Sequence, residues 1–420
     1  MTVVLFSVFA LCLLIGVPIA FSIALAGIVV LLKGDVSLLI VVQRMFAATD
    51  SFPLVAVPFF ILAGDLLARG AISKRLVAFT ESFLGMIRGG LSIVSVVAGM
   101  FFAAISGSGA ATTAAVGSTL IPELRKRGYE DNSATALIAS AGCIGVVIPP
   151  SVPMVLYAVI ADQSVTKLFT NGFLPGVFMG LILIGISLVQ AYKYNYPMGS
   201  EFRWKNVWIT FKESIWGLLM PLIILGGIFS GYFTPSEAAA VAVIYAAFVS
   251  AFIYKDLTFK ELNTILLGSA KTSAVIMIII ACSGVFGWVL ANWNIPEQVA
   301  QGVMSVSSNK YVLLFIISAI IIISGIFMET SSAVILLTPV FLPLIKSLGI
   351  DLVHFGVLFV VGISIGMITP PVAINLFVGS SITGIPIEKI SKAVIPYLIG
   401  LIIAFLLYAY IPLLVPSIIF

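Results

Sequence analysis

Two clusters of small oxygen-bearing residues interrupt apolar stretches of this chain. The first reads Ser106-Gly107-Ser108-Gly109 and is followed by Thr112 and Thr113; the second reads Glu329-Thr330-Ser331-Ser332. A different interruption is a proline pair within a long apolar run. One copy carries Gly142, Gly145 and Pro149-Pro150-Ser151, and the other Gly362, Gly366, Thr369-Pro370-Pro371 and Asn375. Consecutive prolines remove two N–H donors and disfavour α geometry before them, so each run must break and leave carbonyls unpaired. Loose carbonyls and hydroxyls together suit a small hard cation. Helices starting after Ser108, Pro150, Glu329 and Pro371 aim their N–H groups at the same region, and such ends favour an anion. The residue types therefore offer joint binding of a cation and a carboxylate. They do not make a phosphate loop, because no lysine follows the glycine-rich tip and no strand precedes it. A nucleophile at Ser106 or Ser108 would need a base, and the sole histidine, His354, sits beside Asp351 at the start of a span, as an interfacial residue would.

The surrounding composition says what medium holds these clusters. Of 420 residues, 61% are hydrophobic and 9% charged, with a mean hydropathy of +1.23. So few charges cannot cover that much apolar surface, so lipid is the solvent for most of the chain. A disordered chain, a disulfide scaffold and a nucleic-acid binder are all excluded, the last because a net charge of +4 is small and scattered. Cys12, Cys143 and Cys282 lie far apart in apolar stretches and read as buried small hydrophobes. No basic residue precedes the first apolar run, which continues to Leu32, longer than a signal-peptide core; it reads as a spanning helix of the mature chain.

Segments of spanning length cover 3–32, 52–69, 132–161, 169–192, 215–233, 236–254, 270–292, 352–381 and 391–416. The stretches 89–124 and 309–345 each have room for two arms around a polar middle, as re-entrant hairpins would. Amphipathic pieces at 37–48, 74–88 and 295–308 suit the interface. With the N-terminus in the cytoplasm, sixteen Lys/Arg fall inside and five outside, namely Lys33, Arg44, Lys167, Lys310 and Lys346. That is the positive-inside bias, and it leaves the C-terminus in the periplasm. Asp65, near the end of its span, has Arg69 as a candidate partner.

A shift of 221 residues aligns the halves: Pro122 meets Pro343, Gly128 meets Gly349, Gly145 meets Gly366, Pro149-Pro150 meets Pro370-Pro371, and Pro175 meets Pro396. Glycine and proline mark backbone bends, so the agreement records shared geometry. Five crossings, an odd number, separate the two hairpin stretches, so the second copy is expected upside down. The expected fold is an all-α polytopic membrane protein built from inverted repeats. Residues 1–192 form the first repeat, with hairpin 89–124 and broken helix 132–161. Residues 193–214 form a cytoplasmic amphipathic linker with Trp204 and Trp208. Residues 215–420 form the second repeat, with hairpin 309–345 and broken helix 352–381. Inverted repeats with broken helices are the architecture of secondary transporters.

At these residues the chain resembles the large membrane subunit of tripartite ATP-independent periplasmic (TRAP) transporters, over essentially its whole length. The signatures are Gly16-Val17-Pro18-Ile19-Ala20, Val57-Pro58-Phe59-Phe60-Ile61-Leu62-Ala63-Gly64, Ser106-Gly107-Ser108-Gly109-Ala110-Ala111, Gly145 to Pro150, Tyr232-Phe233-Thr234-Pro235-Ser236-Glu237-Ala238, and Thr369-Pro370-Pro371 with Asn375. The resemblance implies sodium-driven uptake of an organic acid, such as a C4-dicarboxylate or sialic acid, across the bacterial inner membrane. It implies an elevator-type fold like that of the ion transporter superfamily. The implied partners are a periplasmic substrate-binding protein and a small four-helix membrane subunit, expected as a separate chain. Carried over residue by residue, one sodium falls to Ser106, Gly107, Ser108, Gly145 and Pro149, and a second to Thr330, Ser331, Ser332, Gly366, Thr369 and Pro370. The substrate falls to Ser106, Ser108, Ser151, Glu329 and Asn375. The rivals are a stand-alone sodium/dicarboxylate carrier of similar fold, a membrane enzyme and a channel.

Overall fold

A computed structural model describes residues 1–68, 72–198, 202–307 and 309–414. Arg69 and the last residues of the 391–416 span lie outside them. Among the described residues the chain forms nineteen α-helices, and its strand content is one isolated bridge between Arg88 and Met198. Lipid leaves few alternatives, because only a helix satisfies a spanning segment's backbone from within. Seven helices are long and apolar enough to cross a membrane, or eight if one bent pair counts as a span. The chain is thus an all-α, multi-spanning membrane protein.

The first half runs α1 (Thr2–Leu14), α2 (Ile19–Lys33), α3 (Leu39–Thr49), α4 (Ala56–Ala68), α5 (Ile72–Leu84), α6 (Gly90–Ser106), α7 (Gly109–Lys126), α8 (Asp131–Cys143), α9 (Val152–Ala161) and α10 (Val165–Lys193). The second runs α11 (Trp204–Phe229), α12 (Pro235–Phe248), α13 (Phe259–Asn292), α14 (Ile295–Val306), α15 (Lys310–Phe327), α16 (Thr330–Ser347), α17 (Leu352–Gly366), α18 (Ile374–Thr383) and α19 (Ile387–Leu414). Helices α6 to α10 recur as α15 to α19, every start within a residue of the 221-residue shift. Partners are exchanged between halves. Helix α2 packs on α13 and α12 on α4; α7 packs on α18 and α9 on α16; α8 packs on α19 and α10 on α17. Neither half completes its own core.

Three expectations are corrected. The stretch 3–32 is not one crossing but a helical hairpin. Gly16 takes φ +85°, Pro18 caps α2 with its fixed φ, and α2 returns along α1. Both ends reach the same place: the Thr2 hydroxyl donates to Gln298 Oε1 at 2.8 Å, and Gly34 lies against the Trp293 ring. The N-terminus therefore shares the side of Lys33, and its cytoplasmic placement loses the crossing it rested on. Second, the expected linker 193–214 is helical in its second half, since α11 begins at Trp204. Residues before it staple the base of the first hairpin, with Arg88 Nη2 donating to Asn195 Oδ1 at 2.8 Å and the Gly89 N–H to the Pro197 carbonyl at 3.2 Å. Third, the span expected over 270–292 is the end of α13, which starts at Phe259 and runs unbroken for 34 residues, whereas its counterparts α3 and α4 meet at 68°. Pro53 sits at the bend, and Ala274 stands at the shifted position in α13.

Local signals set several ends. Thr234 and Glu237 form a capping box at α12 with Pro235 in its first turn, which accounts for one of the quoted signatures. Thr258 and Glu261 do the same for α13. Helices α15 and α17 cross through glycines. A Cβ on Gly366 would lie 2.3 Å from the Gly325 carbonyl carbon, and one on Gly325 would lie 2.6 Å from the Ile363 oxygen. Backbone meets backbone there, so no side chain can move aside. Gly366→Val should cost about 2–3 kcal/mol or more, seen as a lowered unfolding temperature of the purified protein. A Gly226→Val control, inside α11 with open space around its Cβ position, should cost less.

Candidate functional site

Helix α6 ends at Ser106, Gly107 turns the chain with φ +59°, and extended Ser108 caps α7 by accepting the Ala111 N–H at 3.4 Å. This tip lies against the break between α8 and α9 with no side chain between. A Cβ on Gly107 would be 2.7 Å from the Pro150 oxygen, one on Gly109 2.9 Å from the Gly142 oxygen, and one on Gly145 2.6 Å from Thr112 Oγ1 and 2.7 Å from the Ser108 oxygen. The glycines let oxygens gather. Ser106 Oγ lies 3.0 Å from Thr112 Oγ1, the Ser106 hydroxyl reaches the Ser108 carbonyl at 3.3 Å, and the Thr112 hydroxyl donates to that carbonyl at 2.8 Å. On the far side Gly64 of α4 presses on Ser106, its Cβ position 3.0 Å from the Ser106 oxygen.

The second tip is built differently. Glu329 caps α16 with its own carboxylate. Oε2 accepts the N–H groups of Ser331 at 2.9 Å and Ser332 at 3.2 Å, and Oε1 accepts the Ser331 hydroxyl at 3.1 Å. The Thr330 hydroxyl donates to Met367 Sδ at 3.2 Å, and that sulfur sits 3.3 Å from the Cβ position of Gly109. Met367, from the second break, thus wedges between the two tips. The 221-residue shift carries Ser106 and Thr112 to Phe327 and Ala333, so the hydroxyl pair belongs to the first tip alone. In the second break the Thr369 hydroxyl donates to the Ile365 carbonyl at 2.9 Å, and Pro370-Pro371 is cis, as is Pro149-Pro150.

Both tips open on one cavity of about 510 Å³, within the range of small-molecule sites. Ser106, Gly107, Ser108, Glu329, Ser331 and Ser332 line it, whereas Thr330 is buried away from the wall. Its other wall comes from α4 (Ile61, Gly64, Asp65) and α13 (Lys271, Thr272, Val275, Ile276, Ile279). Two expected substrate residues are not on the wall. Ser151 is buried, donates to the Val146 carbonyl and caps α9 by accepting the Met154 N–H. Asn375 is buried, donating to the Ala139 carbonyl at 3.2 Å and contacting Cys143 Sγ at 3.8 Å. Ser151 thus satisfies the backbone of its own break, whereas Asn375 spends its amide nitrogen on α8 and keeps Oδ1 buried without a hydrogen-bond partner. Asp65 accepts the Ser269 hydroxyl at 2.6 Å; its candidate partner Arg69 is outside the described residues. His354 packs its ring on Tyr408, at 4.7 Å between centroids.

The oxygen cluster at Thr112, the wedge at Met367 and the wall residue Lys271 were not among the expected site residues. A lysine within a long apolar helix is the one signal that pointed to Lys271.

The chain matches the family described as "Tripartite ATP-independent periplasmic transporter, DctM component" over residues 6–414. It is 39% identical to the isethionate TRAP transporter permease protein of Oleidesulfovibrio alaskensis, over 97% of this chain but only 65% of that protein, so it spans under two thirds of that relative. It is 40% identical to the C4-dicarboxylate TRAP transporter large permease protein of Pseudomonas aeruginosa, covering 93% of this chain and 92% of that one. Against the 2,3-diketo-L-gulonate TRAP transporter large permease protein of Escherichia coli the identity is 38%, over 95% and 94%. In fold it is similar to the YdaH transporter of Alcanivorax borkumensis, with a TM-score of 0.65 at 14% identity over 90% of this chain and 88% of that one. The chain belongs to the large permease subunits of the tripartite ATP-independent periplasmic transporters, and it is a transport protein rather than an enzyme.

Proposed function

We propose that this permease carries an organic acid into the cell by sodium symport. The observation that carries the reading is the meeting of two unlike tips at one cavity. One tip gathers Ser106, Ser108 and Thr112 oxygens beside Gly145 and the Pro150 carbonyl, a donor set of the kind hard cations take. We assign the first sodium there, with Gly107 as the hinge, and a second to Thr330, Ser331, Ser332, Gly366, Thr369 and Pro370. The solute occupies the cavity against Ser106, Ser108 and Glu329. Relatives are named for isethionate, C4-dicarboxylates and 2,3-diketo-L-gulonate, all organic acids, and that chemical class is the one proposed here.

In this reading the repeats are inverted, 1–192 against 215–420, and the two hairpin–break units move as a body past the remaining helices. The basic residues at 74–88, 125–127 and 203–212 mark the cytoplasmic face. With α1 and α2 as a hairpin, both termini are then periplasmic. A periplasmic binding protein delivers the solute and a small four-helix subunit completes the membrane part, in the bacterial inner membrane.

Reconstituted with those partners, the permease should take up its solute with sodium outside and fall to background when choline replaces sodium; sodium-independent uptake would refute the coupling. Ser106→Ala and Thr112→Ala each remove one oxygen donor and should raise the sodium concentration for half-maximal uptake about tenfold. Unchanged sodium dependence in both would take the ion away from this tip. Gly107→Val puts a β-branched side chain at positive φ against the Pro150 carbonyl, and should abolish uptake while membrane insertion is retained.

A further inference from the structure

The cavity wall carries three ionisable side chains, and two are already engaged. Glu329 accepts three hydrogen bonds from its own helix, of the about four a carboxylate can take. Asp65 accepts the Ser269 hydroxyl. The third, Lys271, is exposed, and among the described residues no carboxylate lies within 4.0 Å of its ammonium. It sits on α13 across from the first tip, and no other residue from Leu262 to Asn292 is charged. A cation in such a stretch is expensive unless it faces water or an anion. The geometry of the second tip adds a constraint. The Glu329 carboxylate already neutralises the N-terminus of α16, so that helix end has nothing left to offer an acid group. The N-cap of α7 is uncharged Ser108, which leaves its end electropositive toward the same space.

We propose that Lys271 is the anion anchor of the cavity. It draws the solute's acid group to the side of the first tip and leaves the solute's hydroxyl or other donor groups to Glu329. The solute class this selects is an acid with one principal anionic group and hydrogen-bond donors at its other end. Lys271 belongs to α13 and not to a hairpin, so on the transport reading above it meets the solute only when the first tip lies opposite it, as it does in this structure. The inference rests on that reading for its meaning but not for its test.

The test measures cavity potential without any solute. In a background with Cys12, Cys143 and Cys282 changed to alanine, Ala110→Cys places a thiol on the cavity wall. Modification rates are then compared for a sulfonated, anionic methanethiosulfonate and a trimethylammonium, cationic one. Lys271→Gln should lower the anionic-to-cationic rate ratio about fivefold or more, and Lys271→Arg should restore it. Lys260→Gln, the same charge change outside the cavity, should leave the ratio within about twofold. An unchanged ratio in Lys271→Gln, or an equal fall in Lys260→Gln, overturns the anchor even if the protein transports normally. A ratio that responds as expected in a protein incapable of uptake leaves the anchor standing and removes the carrier reading instead.

Discussion

Everything in this molecule follows from the cost of an unpaired backbone group where no water can reach it. The proline pairs at 149–150 and 370–371 strip donors from two helices in the interior, and the carbonyls left behind have to be met by protein. The first break meets this demand with a hairpin tip, which is why Gly107, Gly109, Gly142 and Gly145 face each other at backbone distance. The second break does so with its own residues and with α15, through Gly325 and Gly366. The site is thus a by-product of hydrogen-bond accounting: polar backbone that must be covered is also polar backbone that can be shared with a small solute or ion.

The repeat multiplies the effect. Helices trade partners between halves, so a break in one half is buried by the other, as Asn375 of α18 is buried against Ala139 and Cys143 of α8. Yet the copies have diverged where the chemistry lies. The first tip gathers hydroxyls and leaves a helix end open; the second closes its helix end with a carboxylate. Two similar scaffolds therefore present dissimilar surfaces to one cavity, which gives an elongated polar solute a preferred direction.

Much of this was legible in the sequence because glycine and proline report geometry directly. Pro149-Pro150 and Pro370-Pro371 announced the breaks, and the 221-residue register announced the pairing of elements. What escaped was decided by contacts rather than by composition. The hairpin of α1 and α2 hides in one apolar run, because Gly16 and Pro18 make a turn too short to change the hydropathy. Ser151 and Asn375 look identical in type to solute-binding residues. They turn inward, Ser151 to the Val146 carbonyl and Asn375 to the Ala139 carbonyl of α8. Lys271 opens the span expected over 270–292, a weak signal in the sequence, and α13 packs on α16 with Lys271 on the cavity wall.

The contact of Gly64 with Ser106 has a mechanical side. At Gly64 no side chain of α4 stands between the helix and the tip, and backbone lies against the backbone turn at Ser106. Interdigitated surfaces must unmesh before they can slip, and each buried knob adds to the activation barrier. A flat bearing of this kind has little to unmesh, which suits the movement of the hairpin–break units proposed above.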